Sequence, residues 1–410
     1  MKKLLLVLLI LSLFINHLNA NEKDLNIIQK DKKDYRLLEK ESIQTRQQSQ
    51  KYDWISPIDL SGNIGRNHSF SDENSRNLNN KNTKSASIGF TQSIFESGGI
   101  GFKMEYADNR FKYEMLSWEN QNSQLIYTIY NTLLDIKKLK LEINQNEYRI
   151  VNKDIELIIK KIQYEAGKTD IIELNNAIMS KNLILKEEIA LKNSLKEKEQ
   201  ELAKYTDLKY DEIEILDFQE TNKDIFLDKN YSILEADAKV EMLNSEYKIK
   251  KSQYLPKLSL SAKTSYSNQD EKFNSMINDT NKDDATASGS LILTMPLYDY
   301  TKSSKIQESK IEVLKQKALV NDLKNETAFE YEQIFTKIDT YLKQNETINK
   351  NIKLYEELIG ANKISSEAGM TSKYDLEILE NTKTINEFDI LINKINILQQ
   401  YAKLYFKIKN

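Results

Sequence analysis

The 410-residue sequence has no cysteine, three prolines and ten glycines. Without cysteine there is no disulfide framework, no thiol chemistry and no acylated lipoprotein terminus. So few turn formers, set beside 30% charged residues, give the profile of long helices rather than ordinary globular packing. Histidine is almost missing as well: His17 lies in the apolar leader, which leaves His68 alone in the rest of the chain. With no imidazole or thiolate partners, no metal site is expected. Carboxylates abound at no diagnostic spacing, so the expectation is a protein that is not an enzyme and carries no cofactor. Nor is there an excess of either charge: 59 basic residues face 62 acidic ones, which leaves no electrostatic footprint for nucleic acid. Beyond the first twenty residues no apolar run is long enough for a transmembrane helix.

What is present begins with that leader. Lys2 and Lys3 precede an apolar run from Leu4 to Ile15, and the segment closes Leu18-Asn19-Ala20. The run is too short for a bilayer core of about 30 Å, so residues 1–20 read as a cleaved secretory signal.

The rest of the chain is two copies of one unit. Glu165-Ala166-Gly167-Lys168-Thr169 recurs as Glu367-Ala368-Gly369-Met370-Thr371, 202 positions later. Gln92-Ser93-Ile94-Phe95-Glu96 recurs as Met295-Pro296-Leu297-Tyr298-Asp299, and Pro57 is matched by Pro256. Each unit carries two runs of period two. Ile58, Leu60, Gly62 and Ile64 alternate with polar residues, as do Ala86, Ile88 and Phe90. The second unit repeats this with Leu258, Leu260 and Ala262, then Ala287, Gly289, Leu291 and Leu293. Each run predicts a strand with an apolar face and a small polar face, near the roughly 9–11 residues that a tilted membrane strand requires. The polar stretches Asn67 to Lys84 and Asn268 to Asp284 read as loops. Trp54, Phe95, Tyr254, Tyr298 and Tyr300 cluster at the opposite strand ends, as an interfacial girdle would.

Helices make up the remainder. Ile129, Ile136, Ile143, Ile150, Leu157 and Tyr164 recur every seven residues, and so do Leu134, Leu141, Tyr148, Ile155 and Ile162. The two rows lie on different sides of one helix, which predicts two packing partners for it. In the second unit Tyr331, Ile334, Ile338, Tyr341, Asn345, Ile348, Ile352, Tyr355 and Ile359 form a heptad seam with Asn345 as its polar member. Both long helices stop at Glu-Ala-Gly, where Gly167 and Gly369 suit a left-handed C′ position. Asp170 to Glu173 and Ser372 to Asp375 then resemble capping boxes that open a return helix. The stretch from Lys103 to Tyr164 would extend about 90 Å.

The predicted organisation is a signal at 1–20, a helical segment at 21–55 and a first β-hairpin at 56–97. A first helical hairpin at 98–210 and a linker at 211–230 follow, then a helix at 231–255. A second β-hairpin at 256–298 and a second helical hairpin at 299–410 complete it. Membrane strands must close into a barrel, and four cannot, so several chains are expected to share one. Two chains would give a barrel filled by side chains, and three a barrel with a lumen. The small polar residues Ser85, Ser87, Thr91, Ser259, Ser261, Ser288 and Ser290 suit a wet interior. The rival reading is a soluble periplasmic coiled-coil adaptor or scaffold, which would share the helices but has no use for such strands.

The segment Gln92 to Gly98 resembles the Q-x-I/L-F-D/E-x-G signature of TolC-like outer-membrane efflux proteins. Tyr254-Leu255-Pro256-Lys257-Leu258 and Met295-Pro296-Leu297-Tyr298-Asp299 resemble that family's second-repeat strand motifs. Gly167 to Leu174 and Gly369 to Leu376 resemble its helix-turn pattern. The resemblance implies a homotrimer embedded in outer-membrane lipid. Such a trimer joins a twelve-stranded β-barrel to a periplasmic α-helical barrel. It also implies an inner-membrane pump or ABC transporter as partner, with a periplasmic adaptor docking at the helical tips around Gly167, Leu174, Gly369 and Leu376. By position Glu173 and Asp375 match the acidic residues of the family's tip constriction; helix capping explains the same two residues. Thr371 stands where the family often has a basic gating residue.

Overall fold

The computed structural model describes residues 25–69, 79–214, 216, 218, 220–270, 282–367 and 371–409. The predicted signal at 1–20 lies outside them. The described elements run α1 (Lys30–Tyr52), β1 (Asp59–Ser69), β2 (Asn79–Phe95), α2 (Gly99–Glu165) and α3 (Ile171–Ala203). They continue α4 (Lys223–Asp228), α5 (Tyr231–Ser252), β3 (Lys257–Asp270), β4 (Lys282–Thr294), α6 (Lys302–Glu367) and α7 (Lys373–Tyr405). The chain is mainly helical, with one small sheet. It divides into two compact units. One holds the chain up to Lys40, Leu116–Leu234 and Asn321–Asn410; the other holds Glu41–Met115 and Glu235–Val320.

In the second of these units the strands form one antiparallel sheet in the order β1-β2-β3-β4. Period-two sequence becomes two unlike faces. Leu60 pairs with Ile88, Phe90 with Ala262, and Leu260 with Leu291 on the apolar face. Ser61, Ser87, Ser265 and Thr286 stand in one row across all four strands on the other face. The strands are longer than the loop reading allowed: Asn67–Ser69, Asn79–Lys84, Asn268–Asp270 and Lys282–Asp284 are all paired. A ladder is held by backbone groups, so polar side chains do not end it. Asn268 Nδ2 even donates to Asp283 Oδ1 across the ladder at 2.6 Å. Residues 70–78 and 271–281 lie outside the described residues. Beside the sheet, α5 packs on the first part of α2 through the small residues Ala107, Ala238 and Ser245, all essentially buried. Asn109 Nδ2 donates to Ser245 Oγ at 2.8 Å, and Lys112–Glu241 and Lys248–Glu105 pairs flank that contact. Of the predicted aromatic girdle, Tyr298 and Tyr300 are exposed, but Tyr254 is 92% covered, with Lys302 Nζ over its ring.

In the first unit the two rows on α2 find two partners. Ile129, Leu133, Leu134 and Ile136 are fully buried. On one side Asn146 Nδ2 donates to Ile184 O of α3, and Asp154 pairs with Lys181. On the other, Gln145 Nε2 donates to Asp389 Oδ1 of α7 at 2.6 Å, and Tyr148 lies against Phe388. Burial fades toward the turn, where Ile158, Ile162 and Tyr164 are exposed. On α6, Ile334 and Ile338 are buried, and Asn345 Oδ1 accepts from Asn393 Nδ2 of α7 at 2.9 Å. The polar member of the heptad has a polar partner, which supports register.

The linker is packed rather than loose. Phe226 of α4 joins Ile334, Ile338, Leu404 and Ile408 in one cluster, and Phe218 sits among Tyr130, Tyr405 and Phe406. Asn230 and Ile408 form a β-bridge, with Tyr231 N–H donating to Lys407 O at 2.9 Å. Glu330 holds both Lys403 and Lys407. α1 is fastened to α2 through buried Arg36, whose guanidinium donates to Asn122 Oδ1, Gln121 Oε1 and Trp118 O, while Trp118 Nε1 donates back to Arg36 O.

Candidate functional site

The residues singled out in the sequence stand at the turns of the two helical hairpins and on one face of the sheet. At the first turn Gly167 has φ +70°. Its N–H donates to Tyr164 O at 2.9 Å and Lys168 N–H donates to Gln163 O at 2.8 Å, the paired closure of a Schellman turn. A Cβ added there would meet nothing within 4 Å, so glycine is needed for its backbone angle alone. Asp170 then caps α3, its Oδ1 accepting from Glu173 N–H at 2.9 Å.

The Glu173 carboxylate does not itself cap. It accepts from Lys160 Nζ, across the turn, at 2.9 Å. Lys160 and Glu173 stand at nearly equal distances along the chain from Gly167, which is the signal that sequence reading could have used. Leu174 is half-buried on the first turn of α3.

The second turn differs. Gly369 lies outside the described residues. Ser372 caps α7, with Oγ accepting from Tyr374 N–H at 3.2 Å, and Asp375 N–H donates to Ser372 O at 3.1 Å. Leu376 is half-buried and Asp375 exposed. The position 202 after Lys160 is Asn362, which cannot pair with an acid as a lysine does. Among the described residues the Asp375 carboxylate takes no ion pair or hydrogen bond. Capping therefore falls to Asp170 and Ser372. Of the two acids placed by position, Glu173 is neutralised by Lys160, and Asp375 has no such partner among the described residues.

On the sheet, hydroxyls pair along the polar face. Ser61 and Ser87 oxygens are 2.8 Å apart, Thr91 and Ser261 3.1 Å, and Ser265 and Thr286 2.7 Å. A shallow cavity of about 370 Å³ runs over this face, lined by Asp59, Ser61, Ser87, Gly89, Ser261 and Lys263 among others. At Gly89 a Cβ would stand 2.9 Å from Ala262 O and 3.2 Å from Lys263 Cβ, so the Lys263 stem takes the space that a side chain would fill. The opposite face stays bare: Leu60 is 79% and Leu293 72% exposed.

Strand and helix meet at the two matched motifs. Gln92 grips the chain entering β1, donating to Trp54 O and accepting from Ser56 N–H, both at 2.9 Å. Ser97 and Gly98 both have positive φ, and Ser97 Oγ donates to Pro256 O at 2.7 Å. Burial works to raise the Glu96 carboxyl, but the Lys103 ammonium at 2.9 Å overcomes it and holds the group below its ordinary range. Its repeat partner Asp299 accepts from Thr301 N–H and Oγ1, and these bonds hold that carboxyl low. Among the described residues no acidic or histidine group could hold a metal ion, and no helix is long and apolar enough to cross a membrane.

Residues 224–403 match the family described as outer membrane efflux protein. No curated protein matches the sequence. The fold is similar to that of the outer membrane protein VceC from Vibrio cholerae, with a TM-score of 0.72 and 12% identity over 93% of this chain and 94% of that one. It is similar to the Campylobacter jejuni CmeC outer membrane channel, with a TM-score of 0.70 and 13% identity over 92% and 84%. The open state of the Neisseria gonorrhoeae MtrE outer membrane channel gives 0.68 and 12% over 94% and 87%.

Proposed function

We propose that this chain, which resembles TolC-like outer-membrane efflux proteins in the sequence of its second half and in the fold of nearly its whole length, forms a passive exit duct in an outer membrane. Three copies together make the duct. The observation that carries this reading is the sheet: four strands, two unpaired edges at β1 and β4, one exposed apolar face and one face of paired hydroxyls. Open edges are not tolerated in hydrocarbon, so β4 pairs with β1 of the next copy until the ring closes. Three copies give twelve strands, enough for a lumen lined by the hydroxyl face, whereas eight would fill themselves with side chains.

The helical hairpins continue the lumen as a periplasmic tunnel. A periplasmic adaptor docks at the turns around Gly167, Leu174, Gly369 and Leu376 and couples the duct to an inner-membrane pump or ABC transporter. The constriction at the turns is lined by Glu173 and Asp375, with Asp375 supplying most of the free charge because Lys160 neutralises Glu173. Residues 1–20 serve as an export signal.

Cell fractionation tests the reading. The protein is expected to sediment with outer membranes, to require detergent for extraction and to run as a trimer by light scattering. Release by osmotic shock as a monodisperse monomer would instead support a soluble periplasmic scaffold.

A further inference from the structure

The middle of the sheet's polar face is neutral except at one level. Register sets Asp59 of β1, Gly89 of β2, Lys263 of β3 and Ser288 of β4 side by side. The next row on one side holds Ser61, Ser87, Ser265 and Thr286, and the next on the other holds Thr91, Ser261 and Ser290. One acid and one base thus share a level, with hydroxyls above and below them. Both are exposed, and both line the cavity of about 370 Å³. Along the strands, the next charged residues on this face are Lys257 toward one end and Asp284 toward the other.

Asp59 and Lys263 stand two strands apart, roughly 9.6 Å between backbones, with Gly89 between them. Glycine leaves that gap open, and the lysine stem occupies it: Lys263 Cβ and Cγ each lie 3.2 Å from where a Cβ on Gly89 would be. The stem therefore leans over β2, on the side of Asp59, instead of standing straight out from the sheet. The lean stops short of an ion pair. Among the described residues neither charged group takes a hydrogen bond or an ion pair, with the other or with a third residue. Two opposite charges lie along the wall, close enough to offset each other and open to whatever passes over them.

We propose that Asp59 and Lys263 form a charge-balanced ring in the barrel, a level at which three acids and three bases offset one another so that the wall favours neither cationic nor anionic cargo. The inference rests on the trimeric duct proposed above and names the residues that set the charge preference of its barrel. Twelve strands about 4.8 Å apart and tilted about 40° enclose a backbone radius of about 12 Å. The screening length is about 30 Å at 0.01 M salt and about 3 Å at 1 M. An unbalanced charge at this level is felt across the whole lumen in dilute salt and only at the wall in concentrated salt. Removing one partner of the pair exposes the field of the other.

Because the chain has no cysteine, a thiol placed beside the ring reports on that place alone. Ser87 lies on β2, between the two charged columns and one row away, and lines the same cavity. In the detergent-solubilised full chain carrying S87C, the rates of modification by a quaternary-ammonium and by a sulfonate methanethiosulfonate are compared as a ratio. A change in thiol ionisation acts on both reagents and cancels. A unit charge about 8 Å away changes that ratio about fivefold in dilute salt. Adding K263Q is therefore expected to raise the cation-to-anion ratio severalfold and adding D59N to lower it severalfold. Adding both should return it to the S87C value, and all differences should fade near 1 M salt. Sedimentation of the same samples reports the oligomer. A trimer whose ratio ignores both single changes, or whose double variant keeps either shift, would overturn the ring and leave the duct standing. A monomer would overturn both.

Discussion

Replacing Asp375 with Asn and, separately, Glu173 with Gln should have unequal effects on ion flow, although the sequence presents the two as counterparts. The Glu173 side chain is 52% exposed and Lys160 36% exposed at 2.9 Å, so the pair adds only roughly 0.2–1 kcal/mol to stability. Its effect on the field is larger, because a lysine at contact distance cancels most of the carboxylate's charge a few ångströms away. Asp375 has no such partner among the described residues. In the proposed trimer three such carboxylates, if set about 8 Å apart, would repel by about 0.5 kcal/mol per pair in water before screening. With a Debye length of about 10 Å at 0.1 M salt and about 3 Å at 1 M, that field attracts cations at low salt and fades at high salt. Single-channel recording in planar bilayers should show D375N lowering cation conductance and weakening divalent-cation block at 0.1 M KCl, with little change at 1 M. E173Q should do much less, but K160Q should make the channel sensitive to E173Q. Equal effects of D375N and E173Q, or a D375N effect that survives 1 M salt, would refute the reasoning.

Three further outcomes follow from local geometry. Gly167→Ala places a Cβ at φ +70° and should cost about 1–2 kcal/mol at the first turn, while Gly101→Ala, in a helix with open space, should be neutral or stabilising; thermal midpoints compare them. Gly89→Ala should lower the melting temperature of the assembled protein because its Cβ meets Ala262 O at 2.9 Å, whereas Gly289→Ala, with nothing within 4 Å, should not. Burial acts to raise the Glu330 carboxyl, but Lys403 and Lys407 hold it below its ordinary value. Its contribution is present above about pH 4.3, the unfolded value, and is lost as pH falls through the depressed folded one. Protection against hydrogen exchange near Phe406–Lys409, taken relative to the intrinsic rate at each pH, should therefore fall on acidification below about pH 4.3, and E330Q should flatten that dependence.

Much of this was legible in the residues themselves. Period two marked the strands and their faces, period seven marked the seams, and Glu-Ala-Gly marked the first turn, because each pattern states which side of an element must be covered or which backbone angle is required. The Gly167 turn, the paired hydroxyl face and the double seam on α2 all follow from such local rules. None of them names the partner. That β2 pairs with β3, that α2 meets α7 and that Ile408 bridges Asn230 are choices among surfaces more than 150 residues apart, decided by packing. The acids at the turns show the same division. Sequence spacing fits Glu173 as well to a cap as to a constriction, and only the folded hairpin brings Lys160 onto it, because an ion pair depends on where two helix arms cross. Periodicity is a property of one element; pairing is a property of two, and the second is fixed only when the chain has closed around both.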